Sequence, residues 1–309
     1  MSSSLPEGLT RRPLTREDAG IVAALLDDDE IYRGARPRLE AQDVLDWWLR
    51  ADLEHDSWLF ESTERPVAVG WLEEQGETAL GSGCVHPVVK GRGLGPLLVE
   101  LAEGRARGKG CRTMRQISPA SDEAASALFA ARGYQDVRHF FEMTIDLGEE
   151  PLEPELPPGL EIATFRTEDA RAWHTAANEA FADEWGFTST PFDEWWQRRS
   201  TAEDFDPSLW FLVRAGDEIA AFARCDAGRR GGGFVGMLGV REPWRRRGLG
   251  LALLRHAFHE FRGRGLTRAS LGVDTQNATG ATRLYERAGM HVEIEYVTFE
   301  RGLQAGTPA

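Results

Sequence analysis

The sequence predicts two tandem mixed α/β domains, and three observations carry that reading. The segment 235–261 (VGMLGVREPWRRRGLGLALLRHAFHEF) reads as a strand, a turn, a basic glycine loop and a helix. The pattern occurs a second time upstream, where Lys90-Gly91-Arg92-Gly93-Leu94-Gly95 matches Arg245-Arg246-Arg247-Gly248-Leu249-Gly250. Between the copies, residues 149–158 (EEPLEPELPP) are acidic and proline-rich, the composition of an extended, stiff linker. The expected division is residues 1–148, a linker at 149–158, and residues 159–309.

The duplication extends beyond the loops. Glu17-Asp18-Ala19 matches Glu168-Asp169-Ala170, and Trp47-Trp48 matches Trp195-Trp196. Trp58-Leu59-Phe60 matches Trp210-Phe211-Leu212. Leu128 and Gly133 stand at nearly the same distance from the first loop as Leu284 and Gly289 do from the second.

Each half of a 309-residue chain is long enough to bury its own core. Hydrophobic content of 41% and charged content of 28% are those of a globular protein. The net charge of −14 argues against nucleic acid as a partner, because neutralising phosphates needs clustered positive charge. Cys84, Cys111 and Cys225 are scattered, with neither metal-ligand spacing nor a disulfide framework, which suits a reducing cytoplasm. The N-terminal residues lack the apolar stretch of a signal peptide, and no apolar run approaches membrane-spanning length. The expectation is a cytoplasmic protein with no membrane association and no metal.

In chain order, periodicity predicts helices at 14–26 and 40–53, with Val44, Leu45, Trp48 and Leu49 on the apolar side of the second. Asp27-Asp28-Asp29-Glu30 reads as a solvated helix end. Strands follow near 57–61, 67–73 and 78–85, then the first loop and its helix, a strand at 112–117, a helix at 122–132 and a strand at 139–147. The second half repeats the order: strand 160–165, helices 167–182 and 191–200, strands 209–214, 217–226 and 234–240, the second loop and its helix, a short strand at 271–273, a helix containing Leu284-Tyr285, and a closing strand at 291–301.

The loops carry the chemistry. Glycine has no side chain, so an oxygen-rich group can approach the backbone. Unpaired N–H groups of the first helical turn face that space, and the helix dipole adds partial positive charge. This is an anion site suited to phosphate or pyrophosphate. No Gly-Lys-Ser/Thr follows Gly250, and the glycine spacing differs from a dinucleotide fingerprint.

Arg-x-x-Gly-x-Gly between a strand and an amphipathic helix, followed by Leu271-Gly272-Val273, Asn277, Leu284-Tyr285 and Gly289, resembles the GCN5-related N-acetyltransferase (GNAT) family. The tandem order is similar to mycothiol synthase-like two-domain members. The resemblance implies, in each domain, a central, mostly antiparallel twisted sheet with splayed middle strands flanked by helices. It implies an acyltransferase using acetyl-CoA on a primary amine of a small molecule. Leu238-Gly239-Val240 would line the pantetheine and thioester, Arg245 to Gly250 would hold the pyrophosphate, and Asn277 would bond the cofactor arm or cap a helix. Tyr285 would be the general acid on the sulfur.

By the same resemblance, residues 178–199 would build the acceptor pocket, with Asp183 or Glu184 binding a cationic amine or relaying its proton. The strand position that holds a Glu in mycothiol synthase-like members is Phe234 here. Asp183, Glu184, Asp226 and Asp274 therefore stay open as candidate bases, as does a mechanism without one. In the first half Val85 and Lys90, Gly91, Arg92, Gly93, Leu94 and Gly95 would form a coenzyme A site. Phe129 and Ser121 occupy the tyrosine and asparagine positions there, so catalysis is not expected from that half. Pro96 removes one N–H from its phosphate-facing helix end. Three functions stand open: a general small-molecule N-acetyltransferase, acetylation of a cysteinyl amino-sugar conjugate, or a non-catalytic acyl-CoA-binding module. The halves suit either a monomer that is an internal pseudo-dimer or a homodimer.

Overall fold

The computed structural model describes residues 5–34, 36, 38–63, 65–148, 153–202, 205–277 and 279–303. The elements of the first half are β1 (Thr10–Arg12), α1 (Ala19–Tyr32), α2 (Ala41–Trp47), α3 (Leu53–Asp56), β2 (Ser57–Glu61), β3 (Pro66–Gln75), β4 (Thr78–Val85), α4 (Leu94–Gly108), β5 (Thr113–Pro119), α5 (Glu123–Ala131) and β6 (Gln135–Asp146). Those of the second are β7 (Glu161–Thr164), α6 (Ala170–Phe181), α7 (Phe192–Ser200), β8 (Trp210–Ala215), β9 (Glu218–Arg229), β10 (Gly232–Val240), α8 (Leu249–Gly263), β11 (Arg268–Asp274), α9 (Ala281–Arg287) and β12 (His291–Gly302). No helix among the described residues is long and apolar enough to cross a membrane.

Two compact units result, with boundaries that differ from the linker-based division. One comprises Met1–Phe141 with Ile294–Ala309; the other comprises Glu142–Glu293. The chain thus leaves the first unit inside β6 and returns to it inside β12. Residues 149–152 of the expected linker lie outside the described residues. The reason for the difference is strand pairing: the last strand of each unit comes from the other half of the sequence.

In the first unit β1-β2-β3-β4 are antiparallel neighbours. β4 pairs β5 in parallel, and β12 pairs β5 antiparallel from Tyr296↔Pro119 to Gly302↔Thr113. Val297, Phe299 and Leu303 enter the core with Met114, Phe129 and Tyr134. In the second unit the order is β6-β11-β10-β9-β8-β7. Residues of β6 past Phe141 belong here: the Thr144 hydroxyl donates to the Ala269 carbonyl at 3.1 Å, and Leu147 N donates to Thr267 O at 2.7 Å. The core is aromatic, with Trp173 of α6 packed against Trp210 and Phe222.

The acidic run expected at a solvated helix end is exposed at Asp28 but buried at Asp29 and Glu30. α1 continues through it to Tyr32, and Asp29 and Glu30 are 4% and 9% exposed. Buried carboxylates need partners. Arg33 and Lys90 pair with Asp29, and Arg38 pairs with Glu30 at 2.8 Å.

Candidate active site

In the second unit β10 and β11 pair only at Gly233↔Ala269 and Phe234↔Ser270. Beyond those pairs the two parallel strands diverge, so the backbone of 235–240 that faces β11 is left without β11 partners. On its other side β10 stays paired to β9 as far as Val240↔Ala221, with a register shift between Val235 and Met237. Gly236 is the extra residue of that bulge. A bulge unpairs and re-aims one strand locally, and bulges are enriched at functional sites. A Cβ at Gly236 would lie 2.8 Å from the guanidinium of Arg224 and 3.2 Å from Oδ2 of Asp226. A Cβ at Gly239 would lie 2.3 Å from Phe222 Cζ. That ring is buried against Trp173 and cannot retreat. Gly239→Val should therefore cost about 3 kcal/mol or more through overpacking, read as a fall in the denaturant midpoint of the second unit.

After β10 a 3₁₀ turn at Glu242–Trp244 leads to the loop. Gly248, with φ +83°, caps the 15-residue α8, a conformation that L side chains avoid. Gly93 does the same for α4, also at φ +83°. Arg246 is held at φ +62°, where the first loop has Gly91 at φ +82°. A non-glycine residue there stores of order 1 kcal/mol of strain, and such strain collects at functional sites. What the strain retains is a third positive charge.

The Arg245 guanidinium donates to Val240 O at 3.2 Å and Ala180 O at 3.4 Å, which fixes the loop against β10 and α6. Arg247 donates to Pro243 O at 3.1 Å and stacks over Trp244. Among the described residues none of these three arginines has a carboxylate partner. Three uncompensated guanidiniums beside a helix N-terminus make a strong anion site.

Past β11, Asn277 and Glu184 meet: Asn277 Nδ2 donates to Glu184 Oε1 at 2.6 Å. The Asn277 side-chain oxygen accepts from Thr279 N at 2.7 Å, which organises the turn before α9; the helix cap expected as the alternative role is not made, because Gly280 is the N-cap of α9. Tyr285 on α9 is 7% exposed. Burial, and secondarily the Glu184 carboxylate, push its phenol up to about 12. Glu184, Asn277 and Tyr285 are therefore neighbours although they lie 93 and 8 residues apart in pairs.

The other candidate carboxylates separate. Asp183 is exposed, one residue from Glu184 but directed to solvent. Asp274 accepts from Gln276 N at 2.9 Å and serves a turn. Asp226 is buried beneath the Gly236 bulge. Phe234 is half-buried, with the Arg230 guanidinium 5.5 Å from its ring centre. The bulge at Gly236 was not anticipated; its signal was an isolated glycine inside an apolar strand.

In the first unit the same split occurs. β4 pairs β5 only from Thr78↔Thr113 to Gly81↔Gln116, although β4 runs on to Val85 and β5 to Pro119. A cavity of about 420 Å³ opens there. Val85, Lys90, Gly91, Gly93, Leu94 and Gly95 line it, whereas Arg92 does not. Phe129, in the tyrosine position, packs against Tyr134 and Phe299 with ring centres 5.5 and 5.0 Å away.

The family model for the "Acetyltransferase (GNAT) family" matches residues 22–134 and again 168–290. The chain belongs to the GNAT acetyltransferase family. It is a tandem GNAT protein and an acyltransferase, and members of this family use acetyl-CoA as donor. It is similar to a mycothiol acetyltransferase of Thermobispora bispora, 32% identical over 70% of this chain and 74% of that one. The mycothiol acetyltransferase of Streptomyces scabiei is 30% identical over 95% of this chain and 93% of that one. Among solved structures, a GCN5-related N-acetyltransferase from Sphaerobacter thermophilus matches with a TM-score of 0.84 at 32% identity, covering 99% of both chains. Both GNAT segments of this chain carry a divided sheet and a glycine loop, so the duplication seen in sequence is structural as well.

Proposed function

We propose that the second unit binds acetyl-CoA between the diverging strands β10 and β11 and transfers its acetyl group to a primary amine of a small molecule. The observation that carries this reading is the set formed by the uncompensated Arg245–Arg247 loop and the Glu184–Asn277–Tyr285 group in one unit. The loop holds the pyrophosphate, the unpaired edge of 235–240 donates to the pantetheine and thioester carbonyl, and Asn277 donates to the cofactor arm.

The amine attacks the thioester carbonyl, and the carbonyl oxygen becomes an oxyanion stabilised by backbone N–H groups. The carbon–sulfur bond then breaks, and the thiolate leaves toward the Tyr285 hydroxyl. With the phenol at about 12 and a thiol near ~8.5, complete transfer from tyrosine is uphill by roughly 5 kcal/mol. Tyr285 therefore acts by donating a hydrogen bond to the developing thiolate. The proton itself comes from the nitrogen, which must lose one as the amide forms. Glu184 holds the acceptor ammonium and takes its first proton before attack.

Glu184→Gln should lower kcat/KM for the amine by about 100-fold, the lower end of the range for a lost general base, while leaving acetyl-CoA affinity within about threefold. Equal loss in both would reassign Glu184 to cofactor binding.

The decisive test is calorimetric titration of acetyl-CoA into wild type, Gly248→Ala and Gly248→Glu. A carboxylate about 5 Å from a phosphate at an effective dielectric of 20 costs about 3 kcal/mol, or more than 100-fold in affinity. The alanine variant carries the backbone strain without the charge. Wild-type binding that survives Gly248→Glu, or no wild-type binding at all, defeats the reading.

Length and tandem order shared with the mycothiol acetyltransferases favour a narrower acceptor, a cysteinyl amino-sugar conjugate. Phe234 weighs against identical base chemistry. Release of coenzyme A with that acceptor, compared with a panel of simple primary amines, separates the two.

A further inference from the structure

The first-unit cavity differs from the second-unit site in charge. Lys90, the only loop cation that lines it, sits 3.0 Å from Asp29 Oδ1 and 3.5 Å from Asp122 Oδ2. Arg33 pairs with the same two carboxylates, with Asp122 at 3.0 Å. Asp122 is fixed further by accepting from Ala125 N at 3.0 Å. Two cations and two carboxylates therefore cancel at the mouth, and both carboxylates line the cavity. In the second loop no carboxylate plays that part among the described residues. A diphosphate entering the first cavity would therefore find no net positive charge at the mouth and its ammonium already engaged by Asp29 and Asp122.

The interior asks for a different ligand. Trp58, Trp71, Leu98, Val99 and Leu128 contribute apolar walls. At the fork where β4 and β5 part, Gln116 is 7% exposed and its Nε2, though within reach of the Tyr134 hydroxyl, makes no hydrogen bond of good geometry. Its amide lies beside the Tyr134 hydroxyl, which itself donates to Glu103 Oε1 at 3.1 Å. A buried amide donor without an acceptor is costly, and an oxygen of a bound molecule relieves it. The volume, about 420 Å³, is that of a small-molecule site.

We propose that the first-unit cavity binds an uncharged, largely apolar small molecule carrying one carbonyl or hydroxyl oxygen for Gln116, and that Asp29 and Asp122 exclude coenzyme A from it. This goes beyond the acetyl-transfer reading, because it concerns a site that reading leaves unused.

The test uses the full chain, with coenzyme A and the neutral methyl ketone 2-octanone as probes. Calorimetry should give one coenzyme A per wild-type chain and one more in Asp29→Asn/Asp122→Asn. The ketone should bind wild type saturated with coenzyme A, and Gln116→Met, near-isosteric and lacking the donor, should weaken it about fivefold. Two coenzyme A molecules per wild-type chain overturn the proposal. So does a double variant that gains none, a ketone that does not bind, or ketone binding indifferent to Gln116→Met. Failure of wild type to bind any coenzyme A defeats the acetyl-transfer reading instead, while the double variant's gain and the ketone arm still decide this one.

Discussion

Replacing Tyr285 with phenylalanine should lower kcat by about 100-fold or more, within the 10²- to 10⁴-fold range of positioned proton donors, with acetyl-CoA affinity nearly unchanged. The lower part of that range is expected. In the proposed mechanism a phenol at about 12 would stabilise the departing thiolate by a hydrogen bond and would not surrender its proton. Stability provides the control. The Tyr285 ring is buried, yet its hydroxyl forms no hydrogen bond among the described residues. Removing a hydroxyl that has no protein partner while keeping the buried ring is close to neutral for folding. A merely structural Tyr285 predicts unchanged kcat and unchanged Tm, whereas the proposed role predicts lost kcat with unchanged Tm.

The pH profile adds a second reading of the same residue. Burial and Glu184 both disfavour the phenolate, so the hydroxyl is protonated at every pH below about 12. Wild-type kcat should show no alkaline decline from Tyr285 up to pH ~11. Its pH dependence should rise instead from the acidic side, as the acceptor amine loses its proton. An alkaline limb near pH 9 that vanishes in Tyr285→Phe would contradict this environment.

The loops were legible in the sequence because their physics is local. A left-handed φ at Gly93 and Gly248 and a run of cations need only neighbouring residues to be recognised. Duplication made the second copy a check on the first, and it set Phe129 at the position matching Tyr285. As an acceptor-binding residue Glu184 could be narrowed only to a pair with Asp183, and as a base only to four carboxylates. Which of two adjacent carboxylates turns inward depends on the phase in which α6 ends at Phe181, and a one-residue shift reverses the answer. Asp29 and Glu30 of the acidic run depart from the sequence expectation for the opposite reason. Its partners Lys90 and Arg38 are distant or lie past a turn, and composition alone favours solvent for four acids in a row. The bulge at Gly236 depends on cross-strand register, which no single strand encodes.

The unit boundary was the least legible feature, and it yields the largest expected effect on stability. A chain ending at Glu293 should fail to keep the first unit folded. It loses the strand paired along β5 and removes Val297, Phe299 and Leu303 from the core. Three such side chains, at about 1.5–3 kcal/mol each, are worth roughly 5–9 kcal/mol, comparable to the whole stability of a domain. Polar anchoring goes as well: Arg301 reaches Glu103 at 3.1 Å, Glu300 accepts from Arg115 at 2.7 Å, and the Tyr296 hydroxyl donates to Glu30 at 2.8 Å. A fragment of residues 1–148, which the linker invites, should fail for the same reason. Phe299→Ala in the full chain provides the graded version, at about 3–5 kcal/mol. Hydrogen exchange read peptide by peptide distinguishes the outcomes. Protection of β2 to β5 should be lost in the shortened chain and reduced in Phe299→Ala. Protection of those strands retained at Glu293 would mean that the first unit closes its sheet without β12. Peptides of α8 and β10 report separately whether the second unit stands, since Arg268 keeps its partner Glu293 in the shortened chain. An intact second unit that still binds acetyl-CoA would place the division at Phe141/Glu142 and Glu293/Ile294, and not at the linker.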